Sequence, residues 1–320
     1  MSIFLRPIMT RMFLFLYLVG IMSSILTVPP YKTAHMYEWA PYELFADVFI
    51  IAAIWLVIKG LLYKEGATTV GRKICNWAYR LLLAVFYIAV YVLYIADMFC
   101  FVKFGSTLNP SMLLLIGETT GNEAGEFLQS YVTSDIIFSE VGAIALVPLL
   151  HAIVAGSWKH ISHCSHLSHL PHKPILGTAV AIAVGVCFYL TYPNKQMYLH
   201  TMSLETIGQV EHSLAYRPHT ELYQPPMRLA FSIRCNQLIG QQLGKLKATI
   251  GKVEVDSCSV KSPEIVLIIG ESFNKRHAQL YGYDKENMPN QVRMEKEGRL
   301  TKFEDVVSPW NLTSFVSNIS

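Results

Sequence analysis

The chain has 320 residues, 52% of them hydrophobic and only 15% charged, with a mean hydropathy of +0.35. A soluble domain carries about 25% charged residues, so this composition argues against a wholly soluble chain and for a membrane protein with a smaller polar portion. The net charge of +3 gives no reason to expect a nucleic-acid partner, and six cysteines without a CxxC pair indicate neither a zinc ribbon nor a dense disulfide framework.

Along the chain, five apolar stretches are long enough to cross a bilayer, which takes about 20 residues each. They lie near residues 9–28, 44–62, 77–101, 136–158 and 175–192, so residues 1–192 read as a five-span transmembrane domain. The first stretch ends in Val28, Pro29 and Pro30 without a small-x-small cleavage site, so it reads as an anchor rather than a removable signal. Arg6 and Arg11 flank the first span, Lys59, Lys64, Arg72 and Lys73 lie between the second and third, and Lys159 and Lys173 follow the fourth. Basic flanks stay in the cytoplasm, and an odd number of spans then puts everything after about Pro193 on the outer face.

The outer loop, residues 103–135, carries Glu118, Glu123, Glu126 and Asp135. Its runs MLLLI and NEAGEFLQSYV predict one or two short helices at the outer membrane surface. Asp47, Asp97 and Glu140 fall inside predicted spans, each near its outer end. Acids are costly in hydrocarbon and mark functional sites by default. Asp47 and Glu140 also sit in the first turns of their helices, where the dipole favours an acid that has no further role. After the fourth span, His160, His163, His166, His169 and His172 recur every three residues. Such a tract either binds a transition metal or forms a polar interfacial loop.

Residues 193–262 read as a linker. Within it, residues 227–250 have apolar positions at helical spacing among Arg228, Arg234, Lys245 and Lys247. This predicts an amphipathic helix that lies on the membrane, packs on the soluble part, or simply links the two. Cys235 and Cys258 are the cysteines expected on the oxidising side, where a disulfide between them is permitted.

From Pro263 the pattern changes to strand, polar helix, strand and helix start, the opening of an α/β domain over residues 263–320. EIVLIIG is a continuous apolar run, as in a strand buried on both faces, and it delivers Glu271 to the carboxyl edge where open α/β sheets bind ligands. A capping acid is the alternative for Glu271. KFEDVV predicts a second strand, followed by a loop and then Thr313 at the mouth of a helix. Thr313 is either an N-cap or a nucleophile whose transferred phosphoryl group meets free backbone N–H groups. Asn311-Leu312-Thr313 also matches a glycosylation sequon, but a glycan there would obstruct chemistry at Thr313.

The runs VLIIGESFNKRHAQLYGYDKENMPN and FEDVVSPWNLTS together resemble the start of the catalytic domain of the membrane phosphoethanolamine transferases, members of the alkaline phosphatase/sulfatase superfamily. Five spans before an outward-facing catalytic domain agree, so the resemblance covers the whole chain. It implies a bacterial inner-membrane protein with a periplasmic C-terminal domain. It also implies transfer of phosphoethanolamine from phosphatidylethanolamine to lipid A or a lipopolysaccharide core sugar. By the same resemblance Glu271 matches a zinc-binding acid, and Thr313 matches the zinc-bound nucleophile that carries the group. The family completes its zinc site with an Asp-His pair further downstream, which these 320 residues do not contain. The chain as it stands is therefore expected to bind zinc weakly and to turn over poorly, as the N-terminal portion of an enzyme or a truncated product.

The segment ETTGNEAGEFL resembles a family segment that holds the lipid donor. Glu123 falls on its functional acid, Leu115 stands where the family has an asparagine, and the nearby Asn109 could take that place. Asp47, Asp97 and Glu140 would join Glu123 in a polar pocket for the donor's ammonium. LYGY, at residues 280–283, is expected to be a structural turn. A glycerophosphate polymer synthase and a sulfatase-like hydrolase share the fold, but NLTS lacks the C/S-x-P-x-R context of a sulfatase. A non-catalytic, lipid-binding membrane protein is the alternative outside enzymology.

Overall fold

The computed structural model describes residues 4–27, 39–64, 66, 69–164, 173–216, 222–250 and 273–306. Every α-helical or strand element among them is a helix. The single turn α1 (Leu5–Ile8) leads into α2 (Arg11–Leu26), whose N-cap is Thr10. The Thr10 hydroxyl accepts the Phe13 N–H at 3.1 Å, which satisfies one of the orphan donors of the first turn. Next come α3 (Ala40–Leu62), with Pro41 in its first turn, and α4 (Val70–Phe104). Helix α4 stops at Gly105, whose φ of 66° lies in the left-handed region open to glycine. The outer loop folds into α5 (Pro110–Glu118), α6 (Gly121–Tyr131) and the short α7 (Ser134–Ile137), three helices where one or two were expected. Helices α8 (Glu140–Cys164), α9 (Lys173–Ser203), α10 (Ile207–Tyr216), α11 (Pro225–Ile250) and α12 (Pro289–Lys296) follow.

Each of the five expected spans falls on a helix: α2, α3, α4, α8 and α9. By length and composition, three described segments can cross a membrane: Ala40–Leu62, Val70–Phe104 and Pro174–Ser203. Arg11–Leu26 and Glu140–Gly156 are apolar but shorter, so the expected five spans reduce to three on this criterion. Helix α9 continues through Pro193 to Ser203, beyond the apolar run that was expected to end at residue 192.

The chain forms two compact units, Met1–Ile239 and Gly240–Ser320. In the first, α2 packs on α3 and α8, α3 on α4 and α9, and α4 on α8. Phe15, Val19, Tyr91, Met98, Ile144 and Val147 form one core between α2, α4 and α8, and Met12, Leu16, Leu44, Val48 and Ala52 form another between α2 and α3. Gly20 makes the second contact possible, because a Cβ there would lie 2.6 Å from Leu44 Cδ2. Small residues that let backbones approach are a means of packing helices where lipid removes the hydrophobic drive. The outward faces are as apolar as the core, with Leu61 and Tyr189 each 79% exposed and Ile153 71% exposed. In water such a surface would aggregate, whereas against acyl chains it is the expected one.

Side-chain contacts fix the helix directions. The Arg11 guanidinium, at the start of α2, donates to the Ala155 carbonyl far along α8 at 3.1 Å. Lys195, late in α9, reaches Asp47 early in α3 at 2.6 Å. Gln224 ties Ser24, late in α2, to Tyr94 in the second half of α4. The helices therefore alternate in direction, which gathers Arg11 and Lys59 at one end and Asp47 and Asp97 at the other.

Helix α11 is where the amphipathic helix was expected, and its first half docks on the bundle. Arg228 reaches Asp97 of α4, the Asn236 amide donates to the Pro110 carbonyl at 3.1 Å, and Arg234 donates to the Leu204 carbonyl at 2.9 Å.

In the second unit, residues 273–306 form two 3-10 turns, Lys275–His277 and Gln279–Tyr281, and then α12. The expected LYGY turn is present, with Gly282 at φ 96° and the Asn287 side chain bonded to the Gln279 N–H and the His277 carbonyl. The expected second strand is corrected, because residues 302–306 are not a strand and bend at Glu304 and Asp305. Their groups are used locally instead: the Phe303 carbonyl accepts the Tyr281 hydroxyl at 3.3 Å, and Lys302 pairs with Glu295 at 3.0 Å. A strand needs a ladder partner, and none stands beside them among the described residues. The expected first strand, Glu271 and Thr313 lie outside the described residues, as does most of the histidine tract.

Candidate functional site

The acids of the bundle converge at one end, and most already have partners. Helix α3 carries Glu43 and Asp47 one turn apart, so both carboxylates share a face. Lys195 of α9 sits between them, 2.6 Å from Asp47 Oδ1 and 3.2 Å from Glu43 Oε1. The Glu43 contact is an ion pair without hydrogen-bond geometry, which leaves that oxygen without a donor. The other Glu43 oxygen accepts the Asn194 amide at 2.8 Å. Glu43 is 1% exposed on its side chain and Asp47 is 34% exposed, so Asp47 is the acid of this pair that faces outward.

Asp97 is fully buried in α4. One oxygen accepts the Leu108 N–H at 2.9 Å and the other pairs with the Arg228 guanidinium. Arg228 also donates to the Leu222 and Tyr223 carbonyls at 2.8 and 3.2 Å. The neighbouring Gln224 accepts the Tyr94 hydroxyl at 2.7 Å and donates to the Ser24 hydroxyl at 2.8 Å. A buried ion pair is tolerable when further hydrogen bonds hold both partners, as they do here. The arrangement locks the start of α11 into the space between α2 and α4.

In the outer loop Asn109 and Glu123 are both helix-capping residues. Asn109 Oδ1 accepts the Met112 N–H at 3.0 Å, and its amide reaches the Ser106 hydroxyl at 3.1 Å. Thr120 and Glu123 form a capping box: the Thr120 N–H donates to Glu123 Oε2 at 2.8 Å, and the Glu123 N–H donates to the Thr120 hydroxyl at 3.5 Å. The bond from the Thr120 N–H holds the Glu123 carboxyl below the usual glutamate range, and the rest of that carboxylate is open to water. Glu140 is exposed in the first turn of α8. Ring contacts among Phe99, Phe104, Phe127 and Tyr131 hold α6 against the end of α4.

The structure thus brings Asp47 and Asp97 to one end of the bundle and each against a cation of the chain itself. Sequence reasoning missed Lys195, Arg228, Gln224 and Glu43. Glu43 was accessible as the residue one turn before Asp47. Arg228 was visible as a basic residue in an amphipathic helix, but not as the partner of an acid 131 residues away. No group of three or more His, Cys, Asp or Glu side chains comes together as a metal site among the described residues. Cys235 is buried at 2% exposure, and Cys258 lies outside the described residues.

Comparison with known proteins gives three curated relatives. The chain is 24% identical over 236 residues to phosphoethanolamine transferase CptA of Salmonella typhimurium strain LT2, covering 72% of this chain and 37% of that protein. It is 22% identical over 269 residues to phosphoethanolamine transferase EptC of Escherichia coli K12, covering 82% of this chain and 41% of the relative. EptC of Escherichia coli O18:K1:H7 matches to the same extent. The chain thus spans about two fifths of the length of these relatives. No protein-family model and no solved structure matches it.

Proposed function

We propose that this chain, a homologue of the phosphoethanolamine transferases, takes part in moving phosphoethanolamine from phosphatidylethanolamine to lipid A or a lipopolysaccharide core sugar. The observation that carries this reading is the match to transferases of that name over most of the chain, membrane bundle included. In this reading all five helices α2, α3, α4, α8 and α9 cross the bacterial inner membrane. The base-rich end faces the cytoplasm, and the segment from α10 onward is periplasmic.

Thr313 acts as the nucleophile. Its Oγ forms a bond to the donor phosphorus, the bond from phosphorus to the diacylglycerol oxygen breaks, and diacylglycerol leaves with a proton. An acceptor oxygen then attacks the same phosphorus, and Thr313 regains its hydroxyl. Glu271 and Thr313 would hold zinc, and their two oxygen donors are of a kind zinc accepts, within the three or so protein ligands that a catalytic zinc takes. Bound zinc would lower the pKa of the hydroxyl and offset charge on the transferring group. At the acid end of the bundle, Asp47, already beside Lys195, would meet the donor's ammonium, with Glu123, Asn109 and Glu140 as further donor contacts. Asp97 serves as a positioning residue, because its carboxylate is enclosed by Arg228 and Leu108.

The test is intact-mass analysis of the protein expressed from its own gene after incubation with phosphatidylethanolamine labelled in the headgroup. One phosphoethanolamine adduct that disappears in Thr313→Ala is expected. An adduct that survives in Thr313→Ala removes Thr313 from the mechanism.

A further inference from the structure

At the opposite end of the bundle from the acids, α2, α3 and α4 enclose a cavity of about 210 Å³. Its polar lining is Thr10, Arg11, Lys59 and the tyrosines Tyr79 and Tyr87, and its apolar walls include Trp55, Leu56 and Leu83. No carboxylate lines it among the described residues. Arg11 uses one guanidinium nitrogen on the Ala155 carbonyl. Lys59 lies 5.8 Å from the centre of the Tyr63 ring. Neither cation forms an ion pair with an acid among the described residues.

Two cations around one cavity repel each other unless an anion is shared between them, and the described residues supply none there. The cavity opens at the level where α2 begins and α3 ends. The adjoining outward surface, Val57, Leu61 and Leu82, is exposed and apolar. An occupant therefore needs a negative head for Arg11 and Lys59 and a hydrocarbon tail for that surface. Along α3 the cavity's cation Lys59 lies about 18 Å from Asp47, from the helical rise over twelve residues. A ligand bound here is therefore distinct from one held by the acids.

We propose that this cavity binds the phosphate of an anionic phospholipid from the leaflet at the base-rich end. The Arg11 and Lys59 heads meet the phosphodiester, Trp55 and Leu56 meet the glycerol region, and the acyl chains lie along α3 and α4. The site fixes the inner ends of α2, α3 and α4 relative to one another. It depends on the bundle spanning a membrane and not on Thr313 chemistry, so an inactive protein would still show it.

The experiment follows thermal unfolding of the full chain in a neutral detergent while a short-chain phospholipid is titrated. Phosphatidylglycerol is expected to raise the midpoint saturably, and phosphatidylcholine to give no saturable rise. Lys59→Gln changes an exposed side chain and should fold normally. It is expected to weaken the phosphatidylglycerol response about fivefold, the effect of one cation at an anionic lipid surface. Arg11→Gln should add a comparable loss, and Lys73→Gln, on the same end but outside the cavity, should leave the response intact. An unchanged response in Lys59→Gln overturns the proposal. So does an equal response to phosphatidylcholine, or an equal saturable shift with inorganic phosphate alone, which would make the site one for a free ion.

Discussion

At the scale of single residues, Asp97 and Arg228 carry the sharpest expectation. Asp97→Asn leaves the Arg228 guanidinium buried without its counter-charge, which costs about 3–5 kcal/mol when one partner of a buried pair is removed. Replacing both together, Asp97→Leu with Arg228→Met, should recover much of that loss. Thermal unfolding of the purified protein in detergent measures both, and a single variant as stable as wild type would show that the pair is not closed in the membrane. Glu123 has a different signature. Its carboxyl is held below the ordinary value of 4.5, chiefly by the backbone hydrogen bond from Thr120. A depressed folded-state pKa means that the contribution is complete above the ordinary value and is lost as pH falls through the lowered one. Amide exchange in the first turn of α6 should therefore accelerate on acidification relative to Glu123→Gln, in which that turn has lost its ionised cap and responds less to pH. The acids were legible in the sequence because ionisable residues in apolar runs stand out. Their partners were not, because nothing local marks Lys195 or Arg228 as the cation that will arrive from a distant helix.

At the scale of elements, apolar length announced all five bundle helices, but their ends were set by chemistry that hydropathy does not weigh. Thr10 begins α2 through a cap, Gly105 ends α4 through its positive φ, and α9 passes Pro193 into a polar turn. The second strand was misread for a related reason. KFEDVV has strand composition, yet strand formation is decided by a neighbouring backbone, and Lys302 and Phe303 instead bond to side chains of their own unit. The closeness of α2 and α3 was also invisible beforehand, since a glycine in an apolar helix reads the same whether or not a neighbour fills its space. It can be tested directly. Gly20→Ala brings its Cβ to 2.6 and 2.7 Å from the Leu44 methyl ends and 3.2 Å from the Gln224 amide oxygen, so Leu44 must shift, at a cost below that of a larger side chain. Gly20→Ile cannot be absorbed in that way and should destabilise the protein by about 1–3 kcal/mol, the usual cost of overpacking. Equal unfolding midpoints for the two variants would contradict the close α2–α3 contact.

At the scale of the whole molecule, the helix directions constrain how many times the chain crosses. Helices α3 and α9 run in opposite directions, because Lys195 near the end of one meets Asp47 near the start of the other. Helices α3 and α4 are also opposed, joined by a short connection whose Lys64 has both backbone groups bonded by the Asn76 side chain of α4. Helices α4 and α9 therefore run the same way, and the chain between Gly105 and Lys173 has to return along the length of the bundle. Helix α8 is the element in that stretch that makes the return, since its start packs with Met98 of α4 and its later turns reach Arg11. Helix α2 covers the same distance, from Arg11 beside Lys59 to Ser24 beside Tyr94, although its 16 residues span only about 24 Å, less than a typical hydrocarbon core. Local thinning of the bilayer and the polar reach of Arg11 can absorb that mismatch. The proposed five crossings rest on this alternation, and single cysteines test them in a background with the natural cysteines replaced by serine. Lys64→Cys should react with a membrane-impermeant maleimide only after the inner membrane is opened, and Glu205→Cys should react in cells whose outer membrane alone has been permeabilised. Labelling of both positions from the same side would break the alternation, and with it the proposed location of the acid-lined end and of Thr313 outside the cytoplasm.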